Sequence, residues 1–192
     1  MAEDAFSERT YIAISELDGT RRSFSAEIET IDISGGDKDF DTIANVGGGR
    51  IRKFLPQTDI EVTMEGYAVE MGTASGSTGK GFYDLLHSAD TTQPISISND
   101  HTRTKYELIL LATNKPSVSD AAEAIADSYE AERWKFQGGH FVNLTASFTD
   151  KIWKFTLKYK VPPFTKSAAS TVTYESTDGT ADLPIVAAYS SS

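Results

Sequence analysis

The chain has 192 residues, 39% of them hydrophobic, with 18 basic against 28 acidic side chains and a net charge of −10. That suits one domain with a sizeable core and some long excursions, and it excludes a disordered chain. The acidic balance opposes tight binding to a phosphate backbone, the absence of cysteine removes disulfides and thiolate metal sites, and no segment approaches the ~18 apolar residues of a membrane-spanning helix.

The N-terminal "MAEDAFSERT" is acidic and lacks the apolar region of a secretory signal. "TYIAISEL" (10–17) is predicted as a strand with Ile12 and Ile14 on one face, ending at the turn "DGT". "RSFSAEIETIDIS" (22–34) is predicted as one long strand. Its apolar parity runs through Phe24, Ala26 and Ile28, then flips to Ile31 and Ile33, which predicts a bulge or bend near Thr30. Glycines and aspartates at turn positions make residues 35–57 a long loop, and a loop of that length in a compact domain is a functional or interaction element.

"TDIEVTMEGYAVEM" (58–71) alternates, with Ile60, Val62 and Met64 against Asp59, Glu61, Thr63 and Glu65. A glycine-rich loop, "GTASGSTGKG", then precedes a helical turn at "FYDLLHS". "QPISIS" (93–98) and "RTKYELILLAT" (103–113) form a predicted hairpin around "NDHT". After Pro116, "SVSDAAEAIADSYEAE" (117–132) is predicted as the single substantial helix. Ser117 or Ser119 would cap it, Asp120 and Glu123 suit its positive end, and alanines fill its middle.

Gly138 and Gly139 beside His140 read as a hairpin turn. In 141–148, Val142, Leu144, Ala146 and Phe148 oppose Asn143, Thr145 and Ser147. In 151–161, Trp153, Phe155, Leu157, Tyr159 and Val161 oppose Lys154, Thr156, Lys158 and Lys160, and Pro162 and Pro163 end the strand. The organisation expected is a β domain over 1–165, a sandwich or barrel with one flanking α-helix, followed by a C-terminal arm over 166–192.

Nothing in the chain demands catalysis, a metal or a cofactor. "ASGSTGKG" (74–81) nearly matches a phosphate-binding loop, but Gly81 stands where the magnesium-binding hydroxyl belongs and no βαβ pattern surrounds it, so a surface loop is the simpler reading. His87, His101 and His140 have no ligand-like spacing, and no "GxSxG" elbow exists. Glu27, Glu29 and Glu61 could imitate a glycosidase pair, though alternation on an exposed face explains them more simply. If the strands at 22–34 and 58–71 pair antiparallel, Glu27, Glu29, Asp59, Glu61 and Glu65 gather on one side of a sheet. Lys154, Lys158 and Lys160 form a basic stripe that either meets an acidic face of a neighbouring subunit or is solvated.

The order of a long strand ("FSAEIETIDISGG"), an acidic glycine-bearing loop ("DKDFDTIANVGGGRIRKFLPQ") and a "TDIEVTMEG" strand resembles the major tail tube proteins of long-tailed bacterial and archaeal viruses. The resemblance covers residues 20–70 most clearly and extends to the placement of the 117–132 segment and the hairpin after it. It implies a tail-tube-like fold assembling as hexameric rings with a continuous inner β-barrel, stacked into a hollow tube. The long loop and terminal arms would clasp the adjacent ring, with Asp37, Lys38, Asp39, Arg50, Arg52 and Lys53 in the contact and Gly47, Gly48 and Gly49 supplying its tight turn. Glu27, Glu29, Asp59, Glu61 and Glu65 would line a negatively charged lumen that conducts genomic DNA.

The partners implied are copies of itself and tape-measure, tail terminator and baseplate or tip proteins. DNA passes transiently and no membrane is involved. The location implied is the virion tail, after synthesis in the host cytoplasm. Two alternatives are a type VI secretion tube-like protein and a ligand- or carbohydrate-binding β-sandwich module.

Overall fold

Alternating apolar residues lay down ten strands, all paired antiparallel, over the residues that the computed structural model describes: 9–19, 21–24, 26–68, 105–149 and 152–190. The phosphate-loop near-match at 74–81, the helical turn at 82–88, the strand at 93–98, His87 and His101 lie outside those residues.

The strands form two layers joined by one strand. In the first layer β1 (Arg9–Glu16) lies between β2 (Arg22–Phe24) and β7 (Tyr106–Thr113). β7 pairs with the first half of β8 (Glu130–Thr149), and β10 (Val172–Asp178) pairs with the same half. In the second layer the other half of β8 pairs with β9 (Ile152–Val161), which pairs with β6 (Ile60–Ala68), which pairs with β3 (Ala26–Gly35). The path β2-β1-β7-β8-β9-β6-β3 does not return on itself, so the sandwich is not a closed barrel. A separate two-stranded sheet, β4 (Phe40–Ala44) and β5 (Arg50–Phe54), stands between β3 and β6 in the chain.

The core lies between the layers. Ile12, Ile14, Leu108, Leu110 and Phe136 face Val62, Met64, Phe155, Leu157, Tyr159 and Val161, all buried. These are the inward parities expected at 60–64 and 155–161. Each large side chain so buried contributes roughly 1.5–3 kcal/mol. β7 is buried on both faces, because Ile109 and Leu111 point into a second cluster with Ala13, Ala121, Ala122, Ile125, Ala131, Leu183 and Val186.

Four expectations change. Gly138–Gly139 is not a hairpin turn but a bend inside the single strand β8, with Gly138 at φ 82°. At the bend the Tyr159 hydroxyl accepts from Gly139 N (3.0 Å) and donates to Tyr106 O (2.8 Å). A Cβ on Gly139 would stand 2.5 Å from both that hydroxyl and Lys160 O. Glycine there makes room for the ring that fastens the two layers. Val142 is displaced by a bulge between Phe141 and Asn143 and is exposed, so Phe141 replaces it on the apolar face beside Leu144, opposite Tyr159 and Leu157.

The predicted strand 22–34 is two strands: β2 completes the first layer and β3 the second. The bulge expected near Thr30 is present, as a register shift between Ile28 and Thr30.

Residues 117–132 form no helix; they are turns followed by the start of β8. Helix-starting bonds do form, since Glu123 accepts from Ser119 N (3.0 Å) and Asp120 from Ala122 N (3.0 Å). The carbonyls that would continue a helix are taken by tertiary donors, however. Ala122 O accepts from Val186 N (2.9 Å), Glu123 O from Arg133 (2.8 Å), and Ile125 pairs with Leu183 in both directions. With these carbonyls and the Ile125 N–H bonded to distant segments, the chain here is held in turns and no i→i−4 ladder forms.

The C-terminal stretch lies against its own chain. β10 borders β8, Leu183 and Val186 are buried, and two arginines hold the irregular segment that follows. Arg133 binds Glu175 (2.5 Å) and Pro184 O, while Arg21 binds Glu107 (3.2 Å), Val186 O (3.2 Å) and Ala187 O (2.6 Å).

The bend supplies a direct test by urea denaturation. Gly139→Ala should lower unfolding free energy by about 1–3 kcal/mol or more through overpacking. Tyr159→Phe, which strands the Gly139 N–H, should cost about 1–3 kcal/mol. Midpoints unchanged in both variants would refute the role given to the bend.

Candidate functional site

Residues 35–57 were expected as a long loop and instead carry a regular hairpin. Phe40 pairs with Phe54, Asp41 with Lys53, Thr42 with Arg52, Ile43 with Ile51 and Ala44 with Arg50. Asn45 builds the turn: its side-chain oxygen accepts from Gly47 N (3.1 Å) and Gly49 N (2.9 Å), and its carbonyl from Gly48 N (3.1 Å). Gly48 sits at φ 80°, a conformation that disfavours any side chain. At the root, Leu55 N donates to Asp39 O (2.9 Å) and Thr58 N to Asp37 O (3.3 Å). Three consecutive glycines in the turn hid the period-two pattern on either side of it.

Every residue of both hairpin strands is exposed. The contact residues expected from the sequence are all here: Asp37, Lys38 and Asp39 lead into the hairpin, and Arg50, Arg52 and Lys53 lie on β5. Arg52 stacks over the Phe40 ring at 4.9 Å, and Phe40 meets Phe54 edge-on at 6.4 Å. Apolar side chains, not among the contact residues expected from the sequence, stand beside these charges. Phe54 is 73% exposed and Val46, at the tip, fully so, with Phe40, Ile43 and Ile51 also exposed. The alternation of "FDTIA" against "RIRKF" was the signal available.

The second surface is the outer face of the second layer. β3 and β6 do pair antiparallel, so Asp32, Ser34, Glu61, Thr63 and Glu65 share a face with Thr156, Lys158 and Lys160 of β9 and Asn143 and Thr145 of β8. The lysine stripe therefore meets the carboxylates within one chain. Glu61 bonds Lys158 (3.0 Å) and Lys160 (2.8 Å), and Glu29 bonds Tyr67 (2.6 Å) and Lys154 (3.2 Å).

Hydrogen bonds from Lys160 and then Lys158 hold the Glu61 carboxyl down at about 2, and those from Tyr67 and Lys154 lower that of Glu29. Lys160 is raised in return by Glu61. Of the other residues expected in this group, Asp59 is exposed just ahead of β6, Glu65 is exposed on it, and Glu27 stands opposite Tyr67 in the register. Among the described residues no group of His, Asp and Glu could hold a metal ion. The two surfaces can make contacts, and neither carries a nucleophile–base pair.

No protein-family model matches the chain, and no curated protein matches it. Solved structures do. The chain is similar to the tube-terminating cap of the anti-feeding prophage, at 14% identity and TM-score 0.40, with 86% of this chain and 88% of that one covered. It is similar to the sheath/tube terminator of an extracellular contractile injection system, PVC, in the extended state, at 16% identity and TM-score 0.40, covering 85% and 92%. A chain of the sheath–tube complex of the same system in the extended state gives 16% identity and TM-score 0.42, covering 86% and 88%.

The charge ladder makes stability sensitive to acid. A carboxyl held at about 2 when folded and near 4.5 when unfolded binds fewer protons in the folded state between those values. Stability from Glu61 is therefore present above pH 4.5 and is lost as pH falls toward 2. Glu61→Gln should flatten that part of a thermal-melt profile against pH. A profile identical to the parent's would show that the ladder contributes nothing.

Proposed function

We propose that the chain is a structural wall subunit of a tail-like tube, completed by copies of itself. The observation that carries this reading is the free hairpin. Two strands alone are marginal in water, and these expose aromatic and aliphatic side chains alongside their polar ones. Exposed apolar surface of that kind is stabilised by a partner. Charge favours a second copy as that partner. The hairpin, residues 40–54, carries Arg50, Arg52 and Lys53 against Asp41 alone, which leaves the rest of the chain with 15 basic against 27 acidic residues, or −12.

In this reading hexameric rings stack through the hairpins, with Asp37, Lys38, Asp39, Arg50, Arg52 and Lys53 around the contact. The outer face of the second layer, with Glu27, Glu29, Asp59, Glu61 and Glu65, lines the channel. Its threonines, the ion pairs of Glu29 and Glu61 and an excess of carboxylates over lysines make a wetted, net acidic surface, which suits passage of a long polymer such as genomic DNA without adhesion. Tape-measure, terminator and baseplate proteins would be its partners in a tail. A wall subunit requires no catalytic group, cofactor or metal.

Electron microscopy of the purified chain from low to molar salt should show rings or tubes. Replacing residues 39–55 by a two-residue Asn-Gly turn should leave a folded subunit, by circular dichroism, that no longer stacks. A wild-type chain that stays a monodisperse monomer at high concentration in every salt would overturn the reading. Tubes of parental length from the shortened variant would overturn the hairpin's part in it.

A further inference from the structure

The hairpin has two exposed faces, and each carries large apolar side chains among polar ones. Cross-strand partners share a face and successive residues alternate, so Phe40, Phe54, Thr42, Arg52, Ala44 and Arg50 lie on one side. Ile43 and Ile51 lie on the other, beside the Asp41–Lys53 pair. A hairpin built to lie on one flat surface would be apolar toward it and polar toward water. Here Phe54 is 73% exposed on the first side, Ile43 and Ile51 are 53% and 57% exposed on the second, and Val46 projects from the tip. Covering either side alone leaves the other in water.

The two sides also differ in chemistry. The first is aromatic and cationic, with Arg52 stacked on Phe40 and Arg50 beyond it toward the tip. It fits an apolar surface rimmed by carboxylates. The second is aliphatic toward the tip and fits a dry apolar contact.

Resting on the assembly reading above, we infer that this hairpin is a wedge that seats between two further copies of the chain, each covering one face. A slot within a single copy is not offered by the described residues, because the two layers close on each other through the shared core. A slot flanked on both sides arises where two copies stand side by side. The −12 carried by the rest of each copy complements the basic side of the wedge. Such a contact is heterologous, with different surfaces on the two participants, and contacts of that type generate rings and filaments. It also makes assembly cooperative, since one hairpin gains both its contacts only when two neighbours are already adjacent.

The chain has no cysteine, so labels can be placed singly. A trace of full-length chain carrying Ile43→Cys and Phe54→Cys, each labelled with a photo-crosslinker, is co-assembled with excess wild type and irradiated. Three-chain products are expected on a denaturing gel. The two single-cysteine chains should give two-chain products only, mapping to non-overlapping peptides. A doubly labelled chain that stops at two chains, or two labels that map to the same peptides, would overturn the wedge.

In parallel, unlabelled Ile43→Ser/Ile51→Ser and Phe54→Ser should each raise the concentration needed for assembly at least tenfold, with unchanged circular dichroism. One face proving indifferent would overturn the inference. If the wild type assembles while neither face matters, the inference falls and the assembly reading stands. If the wild type never assembles, both fall.

Discussion

Tyr159 on β9 puts its hydroxyl against backbone groups of β7 and β8 at the point where β8 leaves one layer for the other. The ring fits there because Gly139 has no Cβ to obstruct it. Burial pushes the phenol's pKa up, so it remains a neutral donor. This junction sets the angle between the layers and brings Phe136 and Leu108 over Leu157 and Val161. It also places the ends of β3 and β6 where a hairpin can leave the body. Most of the core is apolar and could pack in more than one way; a hydroxyl bonded to Tyr106 O and Gly139 N leaves little freedom.

On the far side of the first layer the problem is different. That face is apolar at Ala13, Ile109 and Leu111, and what covers it is irregular chain. Irregular chain brings backbone carbonyls toward a dry surface, where each needs a donor. Arg133, fully buried, and Arg21, partly buried, supply those donors while their charges are matched by Glu175 and Glu107. Gln137 adds a bond to Glu107 (2.6 Å). Arg133 also reaches into the 117–132 segment, where it takes the Glu123 carbonyl that a helix would have used. Buried charge of this kind specifies a conformation more than it stabilises one.

The molecule thus divides its surface by chemistry. The polar face of the second layer pairs Glu29 and Glu61 with its three lysines and keeps further carboxylates exposed to water. The hairpin differs: it leaves aromatic, aliphatic and cationic groups unmatched within the chain.

Much of the body was legible in the residues. Strict alternation at 60–64 and 155–161 declared which side chains point inward, because a period of two leaves no choice once one face is apolar. The parity flip after Ile28 located a bulge for the same reason. The surface groups Arg50, Arg52, Lys53, Glu29 and Glu61 could be named from the chain, but not their neighbours. The alanine-rich 117–132 segment has the composition and caps of a helix, and only contacts from Val186, Leu183 and Arg133, distant in sequence or beyond a turn, withdraw its hydrogen bonds. Gly138–Gly139 has the look of a turn, and only the bulk of Tyr159 from another strand makes it a bend. Local periodicity is written in the sequence because it depends on neighbours along the chain. Which strand crosses between layers, which lysine meets which carboxylate and which apolar groups stay uncovered depend on packing across it, and those were settled by the tertiary structure.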